Sequence, residues 1–198
     1  MPLAEVVAAR GSEPGLIQPR TVGLADGRRV VVRSATSDDL AGIIDFFERL
    51  SATSRYFRFF SPQPRIRRAM IEQVVARGSD RATVLAQPIG FEGTSRHVIG
   101  VGGWIDVPAD GRTDVSVAVA DEWQNVMLGS TLVLVLLRAA VASGRTRFAA
   151  DVLSGNGRML GLLDALGAPM RTTHSAGVAR VEFEIPGPTA LERCDDVS

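Results

Sequence analysis

The chain contains no lysine: all 22 basic residues are arginine, and 22 Asp and Glu balance them. With no net charge, the molecule lacks the overall field that lets a basic protein hold DNA or an anionic membrane. Neither nucleic acid nor membrane is an expected partner, and any anion must be gripped by local geometry. Biased codon usage is the plain reading of the missing lysine, and avoidance of lysine chemistry on the protein itself is the sharper one. Cysteine occurs once, at Cys194, and histidine twice, at His97 and His174. That poverty excludes disulfide staples and closed zinc sites, so no metal is expected, and a reducing cytoplasm fits. The longest apolar stretch, Val126 to Ala142, is interrupted by Gly129, Ser130 and Arg138. It falls short of the roughly 20 residues that cross a bilayer and reads as a buried helix. No basic start followed by an apolar run suggests a signal peptide.

What remains is a globular composition of a length that suits one domain. Residues 1–20 carry Pro2, Gly11, Pro14, Gly15 and Pro19 and read as a flexible arm. Folding is expected over 21–186, with 187–198 as a tail. Asp26-Gly27 and Asp110-Gly111 are turn dipeptides, which predict hairpins over Thr21–Arg33 and Val98–Val119. Thr36 to Asp39 offers a cap before Leu40, Ile43, Ile44, Phe47 and Leu50 at helical spacing. A second helical stretch is expected over Pro64–Arg77, after the aromatic cluster Tyr56, Phe57, Phe59 and Phe60. Strands are expected at Ala82–Gln87, Val98–Asp106 and Asp114–Val119. Then follow a helix over Gly129–Ser143, a strand at Arg147–Asp151, a helix over Asn156–Leu166, and strands at Met170–Ser175 and Val178–Ile185. The alternation is an α/β signature. Trp104, Trp123 and Tyr56 are expected in the core, and His97 and His174 at the surface or a strand edge.

Several familiar sites are missing. Gly100, Gly102 and Gly103 precede Trp104-Ile105-Asp106, which continues a strand, whereas a dinucleotide fingerprint must open a helix. These glycines predict a bulge or close packing. No P-loop and no Gly-x-Ser-x-Gly elbow occurs, and Cys194 is remote in sequence from both histidines. The run Arg55, Arg58, Arg65, Arg67, Arg68 and Arg77 against the single acid Glu72 reads as a solvated face, with a dock for acidic groups or phosphates as the alternative.

The stretch from Asp114 to Ser130 is a strand entering a helix through a tight loop. First-turn N–H groups and the positive end of the helix dipole converge there, which suits a diphosphate. Gln124-Asn125-Val126-Met127-Leu128-Gly129-Ser130 resembles a worn form of the Gln/Arg-x-x-Gly-x-Gly/Ala acyl-CoA loop of the GNAT acetyltransferase superfamily. Asn156-Gly157-Arg158-Met159-Leu160 resembles the start of that superfamily's following helix. Leu24 to Val30 and Ser51 to Pro62 are similar to the GNAT domains of bacterial protein-lysine acetyltransferases, and the likeness spans Thr21 to Ile185.

The resemblance implies an α/β fold of α+β type: a mixed, twisted sheet of about six to seven strands, its central strands splayed, flanked by about four helices. It implies transfer of an acetyl group from acetyl-CoA to an amine, either a protein lysine or a small molecule. Asp114 falls where the lysine acetyltransferases carry a Glu that accepts the proton. Val117 and Val119 would polarise the thioester, Gln124, Asn125, Val126, Met127, Leu128, Gly129 and Ser130 would form the diphosphate loop, and Asn156 and Met159 would line the pantetheine arm. The loop departs from the family's Gln-Gly-Arg-Gly-x-Gly at Asn125, Val126 and Met127. If Met127 must be left-handed, its side chain costs roughly 1–2 kcal/mol, and a charged contact is lost with the Arg. A non-catalytic GNAT-fold module that binds a partner or senses acyl-CoA is therefore the alternative. Acceptor, acyl preference and oligomeric state, including a homo-oligomer, stay open.

Overall fold

The computed structural model describes residues 16–61, 66–76, 78–90 and 97–195. Eight strands form one sheet in the order β1-β2-β3-β4-β5-β6-β8-β7. The first five are β1 (Arg20–Gly23), β2 (Arg29–Ser34), β3 (Arg81–Pro88), β4 (Gly100–Val107) and β5 (Arg112–Val119). The last three are β6 (Arg147–Leu153), β7 (Met170–Ser175) and β8 (Val178–Glu184). Five helices flank it: α1 (Leu40–Arg49), α2 (Ala52–Phe59), α3 (Arg68–Val75), α4 (Leu128–Ala142) and α5 (Gly157–Asp164). Among the described residues no helix is long and apolar enough to cross a membrane.

Among the described residues both counts exceed the sequence expectation. The additional helix is α2, built from the aromatic cluster that sequence left without a secondary structure. The Ser51 hydroxyl accepts from the Ser54 N–H and caps α2, and Phe60 ends it in a left-handed turn. Its apolar residues do not make a full core face. Phe59 packs edge-on against Phe47 at 5.1 Å, while Tyr56 is exposed rather than in the core. The second helical stretch is shorter than expected, since it begins at Arg68; Pro64, Arg65 and Arg77 lie outside the described residues. So do residues 1–15 of the expected arm, but Ile17 already exchanges hydrogen bonds with Ser34 at 2.8 and 3.2 Å. Towards the other end, Leu191 is buried within a 3-10 turn over Pro188–Asp195.

Every neighbouring strand pair is antiparallel except β5 with β6, and that exception makes the site. Their parallel register holds only two partners, Thr113 with Phe148 and Asp114 with Ala149. Beyond Asp114 the strands part: β5 continues against β4 to Val119, and β6 continues against β8 to Leu153. The gap opens toward the ends of β5 and β6, where strand-to-helix loops gather.

Helix α4 crosses from β5 to β6 and is apolar nearly all round, with Leu128, Leu132, Leu136 and Leu137 fully buried. Each such leucine contributes about 1.5–3 kcal/mol of transfer free energy. Close approach to β4 is what the glycines supply. A Cβ at Gly100 would stand 2.8 Å from Leu132 Cδ1, and one at Gly102 would stand 2.7 Å from Leu136 Cδ1. The β4 register runs unbroken through them, so they serve close packing and not a bulge. Trp104 and Trp123 are buried, as their expected anchoring role requires, and His174 lies exposed on the edge strand β7.

Candidate active site

The parted strands lead into a cleft of about 780 Å³. Its walls are the end of β5, the loop from Asp121 to Met127, the first turn of α4, one face of α2, and α5.

The loop takes its shape from two left-handed residues, Asn125 (φ 61°) and Met127 (φ 68°). Both positions fall where the loop that this stretch resembles carries glycines, and both take a glycine-type backbone without being glycine. Asn tolerates that region better than Met does. Met127 is the residue before α4, and its carbonyl accepts the first intrahelical bond, from Thr131 N–H at 3.0 Å. The N–H groups of Leu128, Gly129 and Ser130 therefore have no partner within the helix, and they sit at its positive end. The loop is braced from behind by Ala25, whose N–H donates to the Val126 carbonyl at 3.3 Å.

Gln124 ties the loop to three elements. Its Nε2 donates to the Ser54 hydroxyl (3.1 Å) and to the Val119 carbonyl (3.2 Å), and its Oε1 accepts from Arg158 at the start of α5. The Val119 carbonyl thus points away from β4. Alternation along an antiparallel ladder turns the N–H groups of Val119 and Val117 to that same unpaired edge, into the gap.

Asp121 anchors α2 across the mouth. Its carboxylate accepts from the Ser51 N–H (2.8 Å), the Ser51 hydroxyl (2.7 Å) and the Ser54 hydroxyl (2.7 Å). Burial pushes its carboxyl up, and these donors outweigh burial and hold it below the usual carboxylate value.

Of the residues predicted from sequence, Val117, Val119, Gln124, Asn125, Met127, Gly129, Ser130, Asn156 and Met159 line the cleft together. Three others do not. Leu128 is fully buried in the core, because an apolar side chain in the first turn of a core helix packs inward, and only its N–H is available to a ligand. Val126 packs against the core for the same reason. Asp114 lies outside the cleft lining on β5 and accepts from Arg180 of β8 at 2.8 and 3.3 Å. Asn156 spends its Oδ1 on capping α5 through the Met159 N–H, at 3.3 Å.

Sequence reasoning missed Phe57 and Thr53, which face the cleft from α2, and Arg158 from α5, and it named Arg58, which faces the cleft beside them, only as one of the arginine run. The signal was present: Thr53, Ser54, Phe57 and Arg58 share one helical face once Ser51 is recognised as a cap. Arg58 thereby leaves the arginine run, whose Arg55 and Arg68 are held by the Glu48 carbonyl and the Glu72 carboxylate. Among the described residues no group of three or more His, Cys, Asp and Glu is placed to hold a metal ion.

No protein-family model matches the chain. An acetyltransferase of Pseudomonas aeruginosa is 26% identical over 144 residues, which cover 73% of this chain and 77% of that protein. Among solved structures, the GNAT domain of S. lividans PAT superimposes with a TM-score of 0.75 at 27% identity, over 84% of this chain and 97% of that one. A GNAT superfamily phosphinothricin acetyltransferase of Sinorhizobium meliloti, in complex with acetyl-CoA, gives a TM-score of 0.63 at 16% identity, over 81% and 91%. At that identity the likeness is one of fold.

Proposed function

We propose, taking as premise that this chain has the GNAT fold and acetyltransferase relatives, that it transfers an acetyl group from acetyl-CoA to an amine, a protein lysine or a small molecule. The observation that carries the reading is the helix-terminated cleft at the strand gap: unpartnered first-turn amides of α4 behind a loop that keeps its glycine-type backbone without the glycines. Diphosphate oxygens would be received by the N–H groups of Leu128, Gly129 and Ser130. The gap between β5 and β6 would take the pantetheine arm, in the way an added strand would sit, with Asn156 and Met159 beside it. The N–H groups of Val117 and Val119 would receive the thioester oxygen as negative charge develops on it.

The acceptor nitrogen must be neutral to attack, and a lysine ammonium has an ordinary pKa near 10.4, so a nearby carboxylate that takes the proton speeds the reaction. Asp114 is the proposed acceptor. Arg180 holds the carboxylate outside the cleft lining, so the proton would pass through water. The thiolate of CoA, with a thiol pKa near 8.5, leaves without a dedicated acid. Acetyl-CoA titration by calorimetry, followed by thiol release in the presence of amines, tests the reading; saturable binding and amine-dependent release are expected, and no binding at millimolar ligand overturns it.

A second reading, a non-catalytic GNAT-fold module, rests on Met127 itself, which keeps a strained backbone at the mouth of the cleft and is 46% exposed. Asn125→Gly with Val126→Arg and Met127→Gly separates the two. Tight acetyl-CoA binding created where the native chain has none would favour the module.

A further inference from the structure

The cleft carries one cation that the transfer of a plain acetyl group does not use. Arg58 faces the cleft from α2, and among the described residues it makes no hydrogen bond and no ion pair. The ring of Phe59 lies 5.5 Å from its guanidinium carbon. The other charged groups in the lining are engaged: Arg158 donates to Gln124, and Asp121 accepts from Ser51 and Ser54. Arg58 is half-buried, and desolvation lowers its pKa with no anion beside it to offset the shift. Such a group is costly to hold unless a ligand completes it.

Its place in the cleft is set by α2. Ser54, bonded to Gln124, marks where α2 touches the loop, and Arg58 lies four residues, about 6 Å of helix rise, further along. The same lining includes the apolar residues Leu50, Phe57 and Ala118. An acyl chain that ends in a carboxylate brings an apolar stem to the lining and a charge to the guanidinium, whereas a plain acetyl group brings no charge. The acidic cluster of Asp114 and Asp151 around Arg180, by contrast, lies outside the cleft lining.

We infer that Arg58 is a specificity residue for the acyl group: the cleft takes the CoA thioester of a short dicarboxylic acid, of the succinyl or malonyl class, with the free carboxylate on the Arg58 guanidinium. The inference rests on the acyl-CoA reading above. The reaction balances as for acetyl transfer. The amine nitrogen bonds to the thioester carbon, the carbon–sulfur bond breaks with its electron pair on sulfur, and the amine proton passes to the proton acceptor. The distal carboxylate stays ionised throughout.

The experiment compares succinyl-CoA, acetyl-CoA and CoA by calorimetry, and by amine-dependent thiol release, on the native chain, Arg58→Gln, Arg58→Lys and Arg55→Gln. Succinyl-CoA is expected to bind about tenfold to a hundredfold more tightly than acetyl-CoA, the range carried by one charge-assisted hydrogen bond. Arg58→Gln should abolish that ratio, Arg58→Lys should restore part of it, and Arg55→Gln should leave it alone. CoA binding in each variant verifies that the cleft still folds. Acetyl-CoA bound as well as or better than succinyl-CoA overturns the inference and leaves the acyl-CoA reading intact, as does a preference that survives in Arg58→Gln. A carboxylate preference seen only in the amine acceptor also overturns it, by assigning Arg58 to the acceptor. Failure of all three ligands to bind overturns the acyl-CoA reading itself.

Discussion

Arg180 of β8 holds Asp114 of β5 through two hydrogen bonds, at 2.8 and 3.3 Å, and reaches Asp151 of β6 at 3.1 Å, so one guanidinium spans the strands where they begin to part. The carboxylate proposed to accept a proton is thus also a strut. Asp114→Asn separates the roles: turnover with saturating amine is expected to fall about a hundredfold or more, the scale of general-base catalysis, with the acyl-CoA dissociation constant unchanged. Unaltered turnover in that variant would leave Asp114 with the strut alone.

The loop offers a stability test. Met127→Gly removes a side chain from a left-handed backbone, worth about 1–2 kcal/mol, against about 0.5–1 kcal/mol of added chain entropy in the unfolded state. Denaturant titration should therefore find the variant equal to the native chain or up to about 1.5 kcal/mol more stable. Asn125→Gly should change less, since Asn tolerates the region. A clear loss of stability in Met127→Gly would mean that the methionine side chain supplies packing that outweighs its backbone cost.

Acid sensitivity is expected from the buried pair Arg33–Asp39. Arg33 grips Asp39 with two bonds of 2.8 and 2.7 Å, and the same carboxylate closes the Thr36 capping box. Burial pushes the Asp39 carboxyl up, but Arg33 and the Thr36 N–H outweigh it and hold the group below its usual value. A depressed folded-state pKa stabilises above the unfolded value near 3.9, and that contribution fades as pH falls through the folded pKa. Asp39→Ala should cost about 3–5 kcal/mol at neutral pH by leaving Arg33 half-buried and unpaired. It should also flatten the acid limb of a stability-against-pH curve below about pH 4; an unflattened limb would assign acid unfolding to other groups.

Gly102 tests the packing beneath the site. Gly102→Ala sets a Cβ 2.7 Å from a terminal methyl of the buried Leu136, and the resulting overpacking should cost about 1–3 kcal/mol in a thermal or denaturant melt. Gly102→Ala with Leu136→Val should recover part of that cost. No recovery would place the strain in the β4–β5 ladder.

The sequence was most readable where one residue type does one local job. Asp26-Gly27 and Asp110-Gly111 gave their hairpins because Gly27 and Gly111 take positive φ. The strand-to-helix path through Gln124 announced the loop, and it lines the cleft. What escaped depended on distant partners. Arg180 is 66 residues from Asp114, and nothing local ties them. Helix α2 was hidden because Phe59 meets its partner, Phe47, on another helix, and its cap, Ser51, is also fixed by Asp121, 70 residues away. The side chains of Leu128 and Val126 follow a related rule: their backbone stands in the loop, but an apolar side chain there answers to the core.

Asp121 joins the two ends of the cleft. The same carboxylate sets the pitch of the helix that presents Arg58 and, through Ser54 and Gln124, the seat of the turn before α4. In the proposed reading the acyl terminus and the nucleotide's phosphates would therefore be recognised by parts that share one anchor, so that a change at this one acidic side chain would retune both at once.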